Sequence, residues 1–191
     1  GGLILDIGGH KGVVAILLKL LNPLARVVSF EPAPPNRLFF EVNLALNGIV
    51  CGITGVELHA RAITHRDGEA RVVHYSSVDT TGGSLFHESA DPSAVFPDGL
   101  RRKYAADTIT LESALAMLGA SRVDLLKLDC EGCEYELVPS WSNATLRSLE
   151  HVVGEVHPGM FSHSGLASGF EVNRSHAIMC NLGWRMIFLS C

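Results

Sequence analysis

Apolar residues fall in short blocks along the first sixty positions, and the blocks alternate between two periodicities. Leu3 to Ile7 is a short apolar run ending in glycines, the pattern of a parallel strand buried on both faces. Gly12 to Leu21 reads as an apolar helix stopped near Asn22-Pro23, and Arg26 to Phe30 as a second strand. Pro34 and Pro35 open a second helix, where a missing backbone N–H costs nothing. Its apolar positions Leu38, Phe39, Val42, Ala45 and Leu46 keep helical spacing, and Asn47-Gly48 supplies the C-cap. Val56 to Ala62 reads as a third strand. Strands alternating with helices predict βαβ units and a doubly wound, Rossmann-like α/β sheet.

The pattern changes in the middle of the chain. Ala70 to Tyr75 and Ser84 to His87 have the look of short strands around a Gly-rich turn, and Asp91 to Gly99 of a loop. Residues 70–105 are therefore expected to form an edge insertion, a hairpin plus loop without a core of its own, inside a single domain spanning 1–191. Beyond it the spacing predicts a helix over Leu111–Leu118, a strand over Val123–Leu128 and a helix over Cys133–Trp141. A strand over Leu149–Val156, a helix over Ser175–Leu182 and a last strand over Trp184–Leu189 follow.

Composition narrows the class. Of 191 residues, 47% are apolar and 18% charged, a globular balance rather than a disordered one. The net charge is −5 and no Lys/Arg-rich run is present, so a nucleic-acid surface, which needs clustered cations, is not expected. The most apolar stretch, Val13 to Leu21, is broken by Lys19 and far too short to span a membrane; a cytoplasmic location is the expectation. The chain opens at Gly1-Gly2 without Met and is read as a fragment. Five widely spread cysteines, an odd number, favour reduced thiols.

The first βα turn carries the chemistry: Asp6-Ile7-Gly8-Gly9-His10-Lys11-Gly12. Glycines there let the chain turn sharply and let a ligand approach the helix N-terminus closely. A dinucleotide fingerprint G-x-G-x-x-G would need its first glycine where Ile7 stands. The pattern D-x-G-x-x-x-G is complete instead, through Asp6, Gly8 and Gly12. An acid in the turn would repel a pyrophosphate but tolerates a cationic sulfonium ligand. Glu31, closing the second strand in Phe30-Glu31-Pro32, can accept the hydroxyls of a ribose or cap the following helix.

In these residues the chain resembles the FkbM family of methyltransferases. Asp6 to Gly12 resembles the family's cofactor loop, and Ser29-Phe30-Glu31-Pro32 its acidic strand end. Ala62 to Arg71 resembles the segment after the third strand. Gly83-Ser84-Leu85 and Thr108-Ile109-Thr110-Leu111 follow in order. Val123 to Glu134, VDLLKLDCEGCE, with Gly154-Glu155-Val156-His157-Pro158 after it, is the most specific piece. The resemblance implies a class I methyltransferase sheet, with truncation at both ends an expectation here, and S-adenosylmethionine as cofactor. It also implies O-methylation of a hydroxyl on a sugar, polyketide or other small molecule. Asp6, Gly8, Gly9, Gly12, Glu31, Ala62 and Asp129 become the candidate cofactor contacts. The chain departs from the family pattern at His10, usually Asn, and at Cys130 and Cys133, usually an aliphatic residue and Ala.

Asp129 and Glu131 follow the fourth strand, and Glu155 and His157 point to one face of the fifth. Ligands of doubly wound sheets bind outside the carboxyl ends of the strands, so Asp129, Glu131 and His157 are expected near a transferable methyl group. Placement does much of the work of such a transfer, but a hydroxyl acceptor must still lose a proton. His157 is the candidate base, with Asp129 or Glu131 orienting it or the acceptor; a structural histidine before Pro158 is the competing reading. Lys127, inside an apolar strand, is expected to pair with a buried acid. No compact metal motif is present, and Cys130-x-x-Cys133 reads as two small side chains packing a turn. An NAD(P)-dependent oxidoreductase and a non-catalytic remnant of the fold stay open as alternatives.

Overall fold

The computed structural model describes residues 1–52, 55–76, 84–87, 101–131, 133–155 and 188–189. The elements run β1 (Leu3–Ile7), α1 (Val13–Leu21), β2 (Arg26–Phe30), α2 (Pro34–Leu46), β3 (Val56–His59) and β4 (Arg61–Ile63). They continue with β5 (Arg71–Ser76), β6 (Ser84–His87), β7 (Arg101–Ile109), α3 (Leu111–Leu118) and β8 (Leu125–Leu128). Then come α4 (Glu134–Ser140), α5 (Asn143–Ser148), β9 (Val152–Glu155) and β10 (Phe188–Leu189).

Six strands form a parallel sheet in the order β10-β9-β8-β1-β2-β3. The chain winds outward from β1 to β3 and then returns to β8 on the other side of β1, so the switch point lies between β1 and β8. All five residues of β1 are buried, because helices cover both faces. Leu5, Ile7, Val28, Phe30 and Leu126 pack with residues of α3, α4 and α5. Ile4, Val27 and Val56 pack with Ala15 and Ile16 of α1 and with Phe40 and Leu44 of α2. The expected doubly wound architecture is thus present.

Several expectations need correction. The third strand does not run unbroken to Ala62: it breaks at Ala60, and β4 joins a second, four-stranded sheet ordered β4-β7-β5-β6. The hairpin β5–β6 is there, antiparallel from Arg71↔His87 to His74↔Ser84. A third strand that was not expected, β7, pairs with β5 from Arg71↔Ala106 to Ser76↔Arg101. Residues 88–100, with the expected Asp91–Gly99 loop, lie outside the described residues. Ala33, Ala62, Val73 and Ala106 form a small apolar cluster where this sheet meets the N-cap of α2.

The helix expected over Cys133–Trp141 is α4, and α5 follows it before β9, N-capped by Ser142, whose side chain accepts from Thr145 N. The expected helix over Ser175–Leu182 lies outside the described residues. In α2 the buried positions are Asn36, Phe40 and Leu44. Leu38, Phe39, Val42 and Leu46 instead stand 63%, 51%, 46% and 78% exposed. Phe40 fixes that rotation by packing against the glycine turn: a Cβ at Gly12 would come 2.7 Å from its ring.

Candidate functional site

The turn after β1 is built on backbone bonds that only glycines permit. Gly8 (φ +80°) and Gly9 both donate N–H to Phe30 O, at 3.0 and 3.1 Å, and Gly12 (φ +84°) donates to Gly9 O at 2.8 Å. A Cβ on Gly8 would lie 1.8 Å from the Asp129 carbonyl oxygen, and one on Gly9 would lie 2.0 Å from Ser29 Oγ. The turn therefore presses directly on the end of β8. Gly8→Ala should cost about 2–3 kcal/mol from strained φ and backbone clash, lowering Tm by roughly 4–12 °C for a chain of this size. Gly119, at φ +63° with nothing within 4 Å of a new Cβ, is the control. Gly119→Ala should cost about 1 kcal/mol, the left-handed penalty alone. Equal losses of Tm in the two variants would remove the close approach to Asp129 as the reason for Gly8.

Behind the turn lies a buried charge network. Asp6 is fully buried; its Oδ2 accepts from Ser29 Oγ at 2.9 Å, and its Oδ1 lies 3.2 Å from Lys127 Nζ. Lys127 also donates to Gly8 O at 2.7 Å and reaches Asp129 Oδ2 at 3.4 Å. Burial alone would lower the lysine's pKa, but Asp6 and Asp129 together outweigh it and hold it above its ordinary value. Lys127 is a structural cation, as its place in an apolar strand implied.

Glu31 is 5% exposed and bridges two elements. Its Oε2 accepts His10 N–H and its Oε1 accepts Ala33 N–H, both at 2.8 Å, tying the glycine turn to the N-cap of α2. Asn36 adds a side-chain hydrogen bond. Burial pushes the Glu31 carboxyl up, against these hydrogen bonds.

These pieces surround one cavity at the carboxyl ends of β1, β2 and β8. Gly8, Glu31, Ala62, Asp129 and Glu131 line it, so five of the candidate residues are brought together. Asp6, Gly9 and Gly12 are not in its wall; they shape the turn from behind, by charge in one case and by packing in the other two. His157 lies outside the described residues, as does the side chain of Glu155. His10, Asn36, Val73, Cys130 and Cys133 also line the cavity and were not anticipated. Of these His10, Cys130 and Cys133 stood out in the sequence only as departures from the family pattern, and Asn36 and Val73 carried no mark.

The cysteine reading changes as well. Cys130 and Cys133 are joined in a disulfide, their Cα atoms 5.5 Å apart, rather than packing as separate thiols. Glu131, between them in sequence, stands at φ +54°, and the Cα separation lies within the range a disulfide spans. Cys51 is a free, exposed thiol, and Cys180 and Cys191 lie outside the described residues.

One more charged cluster flanks the site. Arg71, buried on β5, bonds Glu69 Oε2 at 2.9 Å and Glu136 Oε2 at 2.5 Å, and His65 Nδ1 lies 3.0 Å from the same Glu136 oxygen. It docks the second sheet on α4. His65, Glu69 and Glu136 are the group among the described residues whose ligand atoms lie close enough for a metal, but the Arg71 guanidinium already supplies the positive charge there.

Comparison with known proteins decides the family. The sequence profile described as the Methyltransferase FkbM domain matches residues 6–186. The chain belongs to the FkbM methyltransferase family. The AMB antimetabolite synthetase AmbE of Pseudomonas aeruginosa is 28% identical over 178 residues, covering 81% of this chain and 8% of AmbE. Methyltransferase 1 of Beauveria bassiana is 24% identical, covering 80% of this chain and 64% of that protein. The 31-O-demethyl-FK506 methyltransferase FkbM of Streptomyces tacrolimicus is also 24% identical, over 82% of this chain and 66% of its own. This FkbM-family chain thus spans less than two thirds of the length of these relatives. No solved structure matches it. No helix among the described residues is long and apolar enough to cross a membrane.

Proposed function

We propose that this FkbM-family chain binds S-adenosylmethionine in the cavity between β1, β2 and β8. We further propose that it transfers the methyl group to a hydroxyl on a small molecule such as a sugar or polyketide. The observation that carries the reading is the position of Glu31: a buried carboxylate in the cavity wall, at the carboxyl end of the strand next to the glycine turn. A carboxylate has roughly four lone-pair sites. His10 N–H, Ala33 N–H and the Asn36 side chain occupy three, which leaves room for one ribose hydroxyl. That fits a nucleoside cofactor, with a single hydroxyl held rather than the pair expected from the strand end alone. When bound, S-adenosylmethionine supplies an already activated methyl group. Gly8 lets the turn close against the Asp129 carbonyl beside the cavity, and the Lys127 cation holds Asp129 and the Gly8 carbonyl in place.

His157 is proposed as the base that takes the acceptor's proton, with Asp129 or Glu131 orienting it or the acceptor. A hydroxyl acceptor is favoured because the name of the Streptomyces tacrolimicus relative specifies an O-demethyl substrate. A cytoplasmic setting and a single-domain organisation over 1–191 remain part of this reading.

The test is calorimetric titration with S-adenosylhomocysteine and NAD(H) side by side. S-adenosylhomocysteine should bind and NAD(H) should not; the reverse preference would overturn the cofactor assignment. Glu31→Ala removes one charge-assisted hydrogen bond, about 1.5–3 kcal/mol, so affinity should fall roughly ten-fold or more. Because Glu31 is pushed up by burial, acidification should protonate it at higher pH than an ordinary glutamate and weaken binding from there downward. A ligand lacking the ribose hydroxyls should be indifferent to the substitution. If it loses as much, Glu31 acts only as the tie between turn and helix.

A further inference from the structure

The Cys130–Cys133 disulfide sits in the wall of the cavity, beside the residues proposed to hold ligand. Asp129, Cys130, Glu131 and Cys133 all line that cavity, so the bonded pair brackets its acidic wall. The wall is anchored at both ends. Asp129 N–H donates to Ile7 O at 3.2 Å on one side, and Cys130 N–H donates to Glu134 Oε1 at 2.8 Å on the other. Both sulfur-bearing residues also rest against the main apolar core, where Leu128 and Leu137 are buried.

Between the cysteines, Glu131 is held at φ +54°, a backbone conformation that a residue with a Cβ rarely adopts. A four-residue ring closed by a disulfide restricts the chain to few conformations. The same segment touches the glycine turn, because the Asp129 carbonyl occupies the space where Gly8 would carry a Cβ. The ring is therefore continuous with the wall on which Gly8 rests.

We propose that Cys130 and Cys133 form a reversible dithiol–disulfide pair that sets how tightly the cavity holds its ligand; the ligand part rests on the cofactor reading above. The disulfide is the tight form and the dithiol the loose one. In the reducing direction, one thiolate of a dithiol reductant attacks one sulfur of the pair. The Cys130–Cys133 bond breaks, a mixed disulfide forms, and the other cysteine leaves as thiolate and takes up a proton. The reductant's second thiolate then displaces the remaining cysteine, which is protonated in turn. The pair has gained two electrons and two protons, and the reductant has lost them in forming its own disulfide. In the oxidising direction a small disulfide such as oxidised glutathione accepts the same two electrons and two protons. Both cysteines are half-buried and line the cavity, the side from which small thiols and disulfides would approach them.

Coupling between two such equilibria is reciprocal, since redox state changes ligand affinity by the same factor by which ligand changes the redox equilibrium. The experiment uses the whole chain, equilibrated with dithiothreitol or with oxidised glutathione. Alkylation with peptide mass mapping should show both Cys130 and Cys133 blocked after reduction and neither after oxidation. Amide hydrogen exchange over residues 129–134 should be faster in the reduced form. Affinity for S-adenosylhomocysteine should fall about five-fold or more on reduction, the lower range of such couplings. Saturating S-adenosylhomocysteine should make the pair harder to reduce by the same factor. The Cys130→Ser/Cys133→Ser double variant should match the reduced form in both buffers. A pair that does not interconvert, or one that interconverts with unchanged exchange over 129–134, overturns the proposal, as does equal affinity in the two forms. If S-adenosylhomocysteine binds neither form, the cofactor reading falls, and the exchange measurement alone then decides the redox pair.

Discussion

Lys127→Met is expected to lower stability by about 3–5 kcal/mol, the usual cost of breaking a buried ion pair by removing one partner. For a chain of this size that corresponds to a fall in Tm of roughly 6–20 °C. Lys127 Nζ is 3.2 Å from Asp6 Oδ1 and 3.4 Å from Asp129 Oδ2, and Asp6 is fully buried. Methionine has nearly the volume of lysine, so packing is conserved while Asp6 loses its buried counter-ion. The Asp6→Asn/Lys127→Met double variant removes both charges and should recover much of the loss, because a neutral amide can still bond Ser29. Thermal unfolding of the two single variants and the double gives the coupling directly. A double variant no more stable than Lys127→Met alone would mean that the lysine acts through its stem and not its charge. Ligand affinity should fall with stability in Lys127→Met, since Gly8 O and Asp129 lose their common anchor.

The central sheet was legible because burial on both faces leaves little freedom of composition. Leu3–Ile7 and Arg26–Phe30 are mainly apolar for that reason, interrupted only by Asp6, Arg26 and Ser29, and both strands lie where their sequence put them. The second sheet was hidden because β7, reading RRKYAADTI, has neither an apolar run nor strict alternation. It is defined by its pairing with β5 and β4, a non-local fact. The exposed apolar stripe of α2 misled in another way: Leu38, Phe39, Val42 and Leu46 have helical spacing, yet the buried face is chosen by Phe40 beneath the glycine turn. Helical periodicity states that a face exists; the partner decides which face is used.

At the site, what could be read was the chemistry of single positions, and what could not was their direction. Asp6 and Glu31 were both candidate ligand contacts, but the alternation along β1 and the pairing with Lys127 on β8 turn Asp6 inward. Glu31, one residue beyond β2, reaches the cavity. Spacing cannot separate the two cases, because the deciding contacts come from a lysine 121 positions beyond Asp6 and a histidine amide 21 before Glu31. The Cys130–Cys133 pair was visible as a spacing, but not its closure, and the left-handed backbone at Glu131 between them is one that no propensity favours.

The reaction itself leads to the last expectation: His157→Ala should lower turnover about 10²-fold or more, the usual contribution of a general base. Glu155, two residues earlier, closes β9, which pairs with β8 through Leu128↔Gly154. β9 thus ends at Glu155 beside the end of β8 that Asp129 follows, and His157, two positions on in sequence, is proposed to meet the acceptor there. A base for a hydroxyl works best with a pKa near the operating pH, and imidazole begins close to it. The full-length protein's rate should then rise with pH through one group near neutrality, and that limb should vanish in His157→Ala. Affinity for S-adenosylhomocysteine should stay nearly unchanged, which separates a lost base from a collapsed site. Asp129→Asn should differ by weakening both turnover and binding, since Asp129 is held by the same lysine as the glycine turn. A His157→Ala protein that keeps its rate and its pH dependence removes His157 from the reaction. A rate abolished by chelator and restored by Mg²⁺ or Mn²⁺ would instead assign deprotonation of the acceptor to a metal held by acids such as Asp129 and Glu131.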